Sequence, residues 1–181
     1  MDKTLQEFDE VIKQCKNVFV KKMKDYGIAW RILRITSITD QIYIKAQRIR
    51  SIEEKGTHKV REGVVSEFIG IVNYALMAQM QLHLGIASVE NITMPDEEVI
   101  RLYNHYVQQA KELLMNKNHD YDEAWRNMRT SSYTDIILMK LLRIKQIENN
   151  HGNTLISEGL DANFYDIFNY AVFALIKFNE K

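Results

Sequence analysis

Residues 25–53 read DYGIAWRILRITSITDQIYIKAQRIRSIE, and residues 120–148 read DYDEAWRNMRTSSYTDIILMKLLRIKQIE. The two stretches are identical at 15 of 29 positions at an offset of 95, without a gap. After a one-residue insertion, residues 62–75 and 158–171 match at 7 of 14 positions at an offset of 96. Such self-similarity indicates a tandem duplication of about 95 residues, so the fold should contain one module twice.

The apolar residues of each copy follow a helical period. In the first predicted helix, roughly 3–24, they fall at positions 5, 8, 11, 12, 15, 18 and 19, and a counterpart is predicted at roughly 96–118. A short helix is expected over each Ala-Trp-Arg segment. The patterns Ser37-Ile-Thr-Asp40 and Ser132-Tyr-Thr-Asp135 fit capping boxes that open the next helices. The last helix of each copy is predicted at about 60–84 and 155–179, and Gly85 is expected to end the first of these two helices.

The predicted fold is all-α, a tandem duplicated helical bundle with pseudo-two-fold symmetry. We expect a first repeat at 1–85, a linker at 86–95 and a second repeat at 96–181, which together form one compact unit. A three-helix module of this size buries too little apolar surface to be very stable alone. Because like surfaces pair in homodimers, the single chain is expected to resemble a fused dimer, and further self-association is possible.

Composition bounds the class of protein. Lys plus Arg (24) equals Asp plus Glu (24), so no net positive charge favours direct binding to duplex DNA. A single cysteine fits a reducing cytoplasm. The first residues, MDKTLQEFDEVIK, carry charges where a signal peptide needs an apolar core. The apolar stretch 68–84 is interrupted by Asn73, Gln79, Gln81 and His83, so we expect no membrane span and a cytoplasmic protein.

The first repeated constellation is Lys-x-x-Asp-Tyr-x-x-Ala-Trp. In a nucleotide pocket, an aromatic ring of this motif would stack on a base and the lysine would meet phosphate. The alternative is a helix–turn junction in which Asp caps the short helix and the aromatic rings anchor it to the core. Both interpretations stay open for Lys22, Tyr26 and Trp30, and for Lys117, Tyr121 and Trp125.

The second constellation places Lys and Arg three residues apart, on one face of a helix. This pair could hold a phosphate, or it could form an ion pair with an acidic residue of the next helix. The preceding aspartates, Asp40 and Asp135, are interpreted as caps. The basic residues are Lys45 and Arg48 in the first copy and Lys140 and Arg143 in the second.

The third constellation is a polar stripe on the last, mostly apolar helix of each copy. It reads Glu62, Ser66, Gly70, Asn73 in the first copy and Glu158, Ala162, Asp166, Asn169 in the second. Such a stripe needs ions, hydrogen bonds or a ligand to satisfy it. Two acids eight residues apart, roughly 12 Å, could serve a site that spans a polyphosphate. The alternative is a structural network, with the glutamates paired to Lys or Arg and the asparagines bonded to the backbone.

These segments, KKMKDYGIAW and NKNHDYDEAW, K-x-x-R-I, and the E-G…N-Y-A helices, resemble the nucleotide modification associated domain 1 family, formerly a domain of unknown function. The resemblance covers nearly the whole chain. The family is distantly similar to the all-α nucleoside triphosphate pyrophosphatases of the MazG type, which bind Mg²⁺ through carboxylates on two helices and cut between the α and β phosphates. They work as tight dimers, which a fused duplicate would imitate.

Carried over by position, the resemblance implies metal binding by Glu62, Glu158 and Asp166, with Mg²⁺ as the cofactor and a nucleotide as the small-molecule partner. Ala162, Ser66 and Gly70 stand where the family pattern has carboxylates. No catalytic residue is assigned. We therefore expect a nucleotide-binding protein of pyrophosphohydrolase ancestry, with Mg²⁺-dependent hydrolysis if it is active, or a non-catalytic helical module with a structural or protein-interaction role. The implied nucleotide contacts are Lys22, Tyr26, Trp30, Lys45, Arg48, Asn73, Lys117, Tyr121, Trp125, Lys140, Arg143 and Asn169.

Overall fold

The structure, a computed structural model, describes residues 2–56, 60–155 and 157–180, which form helices and connecting turns without a strand. The prediction of an all-α fold is confirmed. Short 3₁₀ helices cover Ala29–Ile32, Val89–Asn91 and Ala124–Asn127. The α-helices are α1 Asp2–Tyr26, α2 Ile35–Lys55, α3 Val60–Leu84, α4 Asp96–Tyr121, α5 Thr130–Asn149 and α6 Leu160–Asn179.

The two repeats share one interior. The last helices of the repeats, α3 and α6, pack against each other, and α2 and α5 cover them and also contact one another. Helices α1 and α4 each touch both α3 and α6, so each first helix packs on its own repeat and on the other. A single cluster of buried apolar residues draws on both repeats; among its largest members are Phe8, Phe68, Phe164 and Phe168.

The ends of the helices follow the sequence signals only in part. Helix α3 ends at Leu84, and Gly85 follows with a φ of 77°, as predicted for a glycine stop. Helices α2 and α5, however, begin at Ile35 and Thr130, before the predicted caps, and neither N-terminus has a side-chain cap hydrogen bond. The prediction that Asp40 and Asp135 cap these helices is wrong, because both aspartates lie inside them.

Both aspartates instead reach across to the other repeat. Asp40 Oδ1 lies 3.6 Å from Lys145 Nζ, and Asp135 Oδ1 lies 3.8 Å from Arg50 Nη1. The two basic residues are equivalent at the offset of 95, as are the two aspartates. The α2–α5 interface thus contains two equivalent ion pairs, and in each pair the aspartate of one repeat contacts the basic residue of the other, as pseudo-two-fold symmetry requires.

A second exchanged pair lies deeper in the same interface. The buried hydroxyl of Thr39 donates to Glu148 at 2.9 Å, and that of Thr134 donates to Glu53 at 3.3 Å. These residues are also equivalent at the offset of 95. The predicted pseudo-two-fold arrangement of the duplicated bundle is confirmed by these matched contacts.

Helix α3 also has the length and composition of a membrane span over residues Glu62–Leu84. Within its most apolar window, 67% of the residues are buried inside the bundle. A central helix of a globular core has the same composition, so the feature by itself is weak evidence for a membrane.

Candidate ligand pockets

Each repeat contains a cavity at the same place in its fold. The first, about 310 Å³, lies between α1, the first 3₁₀ helix, α2 and α3. The second, about 430 Å³, lies between α4, the last 3₁₀ helix and α6. Equivalent residues line both cavities, so the repeated polar positions converge on one cavity in each repeat: Lys22 and Lys117, Trp30 and Trp125, Asn73 and Asn169, Tyr74 and Tyr170.

The first cavity brings together five of the predicted nucleotide contacts. Lys22, Tyr26, Trp30, Lys45 and Asn73 all line it. Tyr26 is 61% exposed, and Trp30 is half-buried. Lys22 is exposed and has no ion-pair partner among the described residues. The cavity therefore offers accessible aromatic surface beside an uncompensated ammonium group.

The carboxylate of Asp166, which lines the second cavity, forms ion pairs with two lysines. Lys117 Nζ lies 2.5 Å from Asp166 Oδ1, and Lys140 Nζ lies 2.8 Å from Asp166 Oδ2. Burial lowers the pKa of Lys117, but the hydrogen bond and charge of Asp166 outweigh it, so that pKa lies above its usual range. The buried Asp166 is thus fully compensated by ammonium groups.

The first repeat has no carboxylate at the corresponding position, where Gly70 stands. Lys45 Nζ lies 3.6 Å from Glu67, one turn earlier, and Arg48 binds the same carboxylate at 2.7 Å. A Cβ added to Gly70 would lie 2.8 Å from Cε of Lys45. The Lys45 side chain therefore fills the space that the Asp166 side chain takes in the second repeat.

The second cavity contains polar atoms without partners. Asn118 Nδ2, Trp125 Nε1 and Asn169 Oδ1 are buried and accept or donate no hydrogen bond within the described residues. Trp125 is 5% exposed, and its ring stacks on Phe173, with 4.2 Å between centroids. The residue therefore offers no free ring face for stacking, and its indole N–H is buried without a partner among the described residues. The side chain of Tyr121 lies outside the described part of the chain.

The two stripe asparagines bind the backbone, as the structural alternative predicts. Asn73 and Asn169 each donate through Nδ2 to a carbonyl of the first helix of their own repeat, at 3.1 and 3.2 Å. Tyr103 donates its hydroxyl to Asn73 Oδ1 at 2.8 Å. The equivalent position in the other repeat is Phe8, which has no hydroxyl, and this accounts for the unpartnered Asn169 Oδ1.

The predicted arginines lie away from these two cavities. Arg48 is exposed and binds Glu67 without lining the first cavity. Arg143 and Glu158 line a wide, open groove of about 1090 Å³ between the end of α5 and the start of α6, and Lys140 lies on its wall. Lys140 therefore borders this groove while it pairs with Asp166.

In the part of the chain that the structure describes, the carboxylates do not assemble a magnesium site. Among the described residues, no group of three or more His, Cys, Asp and Glu could hold a metal ion. Both oxygens of Asp166 are taken by ammonium groups, and Glu62 and Glu158 are exposed. Mg²⁺ requires several oxygen ligands in octahedral geometry. The residues present in this arrangement do not fit Mg²⁺.

Comparison with known families identifies the repeated unit. The model of a family described as nucleotide modification associated domain 1 matches residues 22–82 and again 117–178, together more than half of the 181 residues. The chain belongs to the nucleotide modification associated domain 1 family. Each matched region begins at the cavity lysine of its repeat, Lys22 or Lys117. No curated protein and no solved structure matched the chain. The more distant similarity to the MazG type stays a prediction.

Both copies of the nucleotide modification associated domain 1 contain an anchor that the sequence analysis missed. Gln81 Nε2 donates to the carbonyls of Arg31 and Leu33, at 2.8 and 2.7 Å. Lys177, at the equivalent position, donates to the two corresponding carbonyls of the second repeat. These bonds fix the 3₁₀ helix that carries the cavity tryptophan. The sequence does contain a signal for this anchor, because both apolar helices have a polar residue at this position. It was missed because the residue is Gln in one repeat and Lys in the other, so a search for identical residues does not find it.

Proposed function

We propose that the protein binds a nucleotide, with the base received by the cavity of the second repeat. The observation that carries the proposal is a pair of buried donors on two residues that line that cavity, Asn118 Nδ2 and Trp125 Nε1, which have no partner among the described residues. A buried donor left unsatisfied costs about 1–3 kcal/mol. A ligand that supplies two acceptors, such as the carbonyl oxygens and ring nitrogens of a base, removes that cost.

The size and walls of the cavity support a base. Its volume, about 430 Å³, lies within the range of small-molecule sites, roughly 300–1,000 Å³. Lys117 lies at the edge of the cavity, where its side chain is 54% exposed and its ammonium group pairs with Asp166. The apolar part of the lining is Leu114, Ala124, Met128, Tyr170 and Phe173.

The proposal covers binding and assigns no reaction. Mg²⁺-dependent hydrolysis is what the resemblance to MazG-type enzymes implies, but the described carboxylates do not fit the metal ion. A second candidate is a non-catalytic helical module. It is favoured by the stripe asparagines, which bind helix backbones in both repeats, and by the carboxylate that pairs with two lysines.

Binding is tested by calorimetric titration with nucleosides and with nucleoside mono-, di- and triphosphates, each with and without Mg²⁺. Trp125→Phe keeps an aromatic side chain but removes the indole N–H, so we expect about a fivefold to tenfold loss of affinity. Asn118→Leu should act in the same direction. Arg101→Gln, which alters an exposed ion pair with Glu98, is the control and should bind as the wild type does.

The structural alternative gives a different pattern. If no nucleoside or nucleotide binds, and Asn118→Leu raises stability because an unsatisfied buried donor has been removed at nearly constant volume, the module is structural and the binding proposal fails.

A further inference from the structure

The comparison of the two repeats locates an anion site. In the second repeat, the Asp166 carboxylate lies between Lys117 and Lys140, at 2.5 and 2.8 Å. The equivalent lysines of the first repeat, Lys22 and Lys45, line one cavity. The equivalent of the aspartate there is a glycine. Lys22, Lys45 and Gly70 thus line one cavity, at positions whose equivalents in the second repeat form a carboxylate with two lysine partners.

Neither of these lysines is firmly committed elsewhere. Lys22 has no ion-pair partner in the described ranges. Lys45 Nζ is 3.6 Å from Glu67, beyond ordinary hydrogen-bond distance, while Arg48 binds that carboxylate at 2.7 Å. Glu67 therefore keeps a partner when Lys45 turns towards a ligand, and the movement leaves no buried charge unpaired.

Space for an anion over Gly70 requires movement of one side chain, that of Lys45. The alkyl chain of Lys45 lies over Gly70, with Cε and Cδ at 2.8 and 2.9 Å from the point where a Cβ would be. This chain ends in a flexible ammonium group, and its rotation opens the volume over the glycine. The adjoining cavity of about 310 Å³ also carries the exposed ring of Tyr26 at its edge.

We infer that the first repeat binds a phosphate group between Lys22 and Lys45, at the place that the Asp166 side chain occupies in the second repeat. In the second repeat that carboxylate replaces the phosphate, so its cavity takes the uncharged part of a ligand. The identity of the ligand as a nucleotide rests on the proposed function, whereas the anion site rests on the two lysines and the missing carboxylate.

The inference is tested by exchanging the residues at the two equivalent positions, Gly70 and Asp166. The probes are inorganic phosphate and a nucleoside monophosphate, titrated at low ionic strength and followed by calorimetry and ³¹P NMR. Gly70→Asp places a carboxylate between the lysines, and we expect phosphate affinity to fall about tenfold or more. Gly70→Asn has the same shape without the charge, and it should bind phosphate more tightly than Gly70→Asp. Thermal unfolding of each variant checks that it is folded.

The second half of the exchange should create a site. Asp166→Gly removes the carboxylate, and the phosphate stoichiometry should rise from one to two per chain. If Asp166→Gly does not fold, Lys22→Met replaces it: phosphate affinity should fall about fivefold or more, whereas Lys117→Met should leave it unchanged. Wild-type phosphate affinity in Gly70→Asp, or equal effects of the two methionine variants, would overturn the inference.

The two proposals fail separately. Phosphate binding that follows the Gly70 series, without binding of any nucleotide, leaves the anion site standing and removes the nucleotide proposal. Nucleotide binding that is indifferent to Gly70→Asp leaves the proposed function standing and removes the anion site.

Discussion

Asn73 and Asn169 occupy one position of the repeat and donate the same backbone hydrogen bond, yet among the described residues only Asn73 also accepts a hydrogen bond. Its partner is the hydroxyl of Tyr103, and the matching residue of the other repeat is Phe8. A single oxygen atom therefore separates a satisfied asparagine from one with a buried unpartnered oxygen. Natural sequence variation has left this difference within one chain, where it can be tested directly.

We expect Phe8→Tyr to stabilise the protein by about 0.5–1.5 kcal/mol, because its hydroxyl would supply the missing donor to Asn169. Tyr103→Phe should destabilise it by about 1–3 kcal/mol, since it leaves Asn73 Oδ1 buried without a partner. Urea unfolding of both variants measures the two free energies. If Phe8→Tyr is less stable than the wild type, the added hydroxyl does not reach Asn169 and only crowds the core.

The residues around the cavities were predictable to the extent that duplication marks them. Lys22, Tyr26 and Trp30 recur in order, and the structure does gather them at one cavity. What the sequence could not predict is the pairing. Lys45 and Lys140 are identical in type, but one approaches Glu67 and the other Asp166. The partner of each lysine depends on which acid the fold places opposite it. In the first repeat, Gly70 replaces the aspartate, and Lys45 therefore approaches Glu67 instead.

At the scale of the helices, the α2–α5 interface holds two partly buried carboxylates. Burial raises the pKa of Glu53 and of Glu148, and the hydrogen bonds from Thr134 and Thr39 offset this in part. Since the pKa values in the folded state lie above those in the unfolded state, folding favours the protonated acids. Their contribution to stability therefore falls as pH rises from the usual range of glutamate to the raised values. Nearby charged side chains are Arg50, Glu54, Asp135, Asp40 and Lys145.

The double variant Glu53→Gln, Glu148→Gln should be more stable than the wild type at pH 7, by less than about 1 kcal/mol because partly exposed charges are screened. The glutamine oxygens can still accept the threonine hydrogen bonds. The difference should shrink towards pH 4.5, where the wild-type carboxyls take up protons. Urea unfolding at the two pH values measures it. An equal difference at both pH values would mean that these acids do not titrate as the interface implies.

The same helices show where local sequence rules fail. Ser37 to Asp40 fits a capping box, but α2 begins earlier, at Ile35. The apolar side chains of this first turn and the next, including the fully buried Ile38, pack into the core. Burial of that face fixes where the helix runs, and the free energy involved exceeds the roughly 1 kcal/mol of a cap. The predicted cap is consequently an ordinary helix residue that pairs with the other repeat.

At the scale of the molecule, α1 and α4 each pack on both repeats, and the apolar core is continuous between them. A charged cluster joins the same halves: Arg126 binds Glu7 at 2.8 Å, Glu180 at 3.1 Å and Glu123 at 3.2 Å. The duplication and the six helices followed from internal identity and apolar period. The extent of the contacts between the two repeats could not be predicted, because such contacts produce no periodic pattern in the sequence.

We expect fragments 1–91 and 92–181 to be unfolded or self-associated when produced alone, since each would expose the apolar face of α3 or α6. Mixed, they should recover the helical circular dichroism of the whole chain and elute together as one 1:1 species in size exclusion. A monomeric fragment with cooperative thermal unfolding would show that one repeat is an independent domain.

Covalent linkage of the repeats has a consequence for how such a protein changes over time. Two identical subunits from one gene must alter both of their pockets with every mutation. Once the subunits are joined head to tail, a glycine can arise in one pocket while an aspartate stays in the other, as at Gly70 and Asp166. The chain is in that respect a heterodimer with fixed stoichiometry, able to keep two chemically distinct recesses at a constant separation.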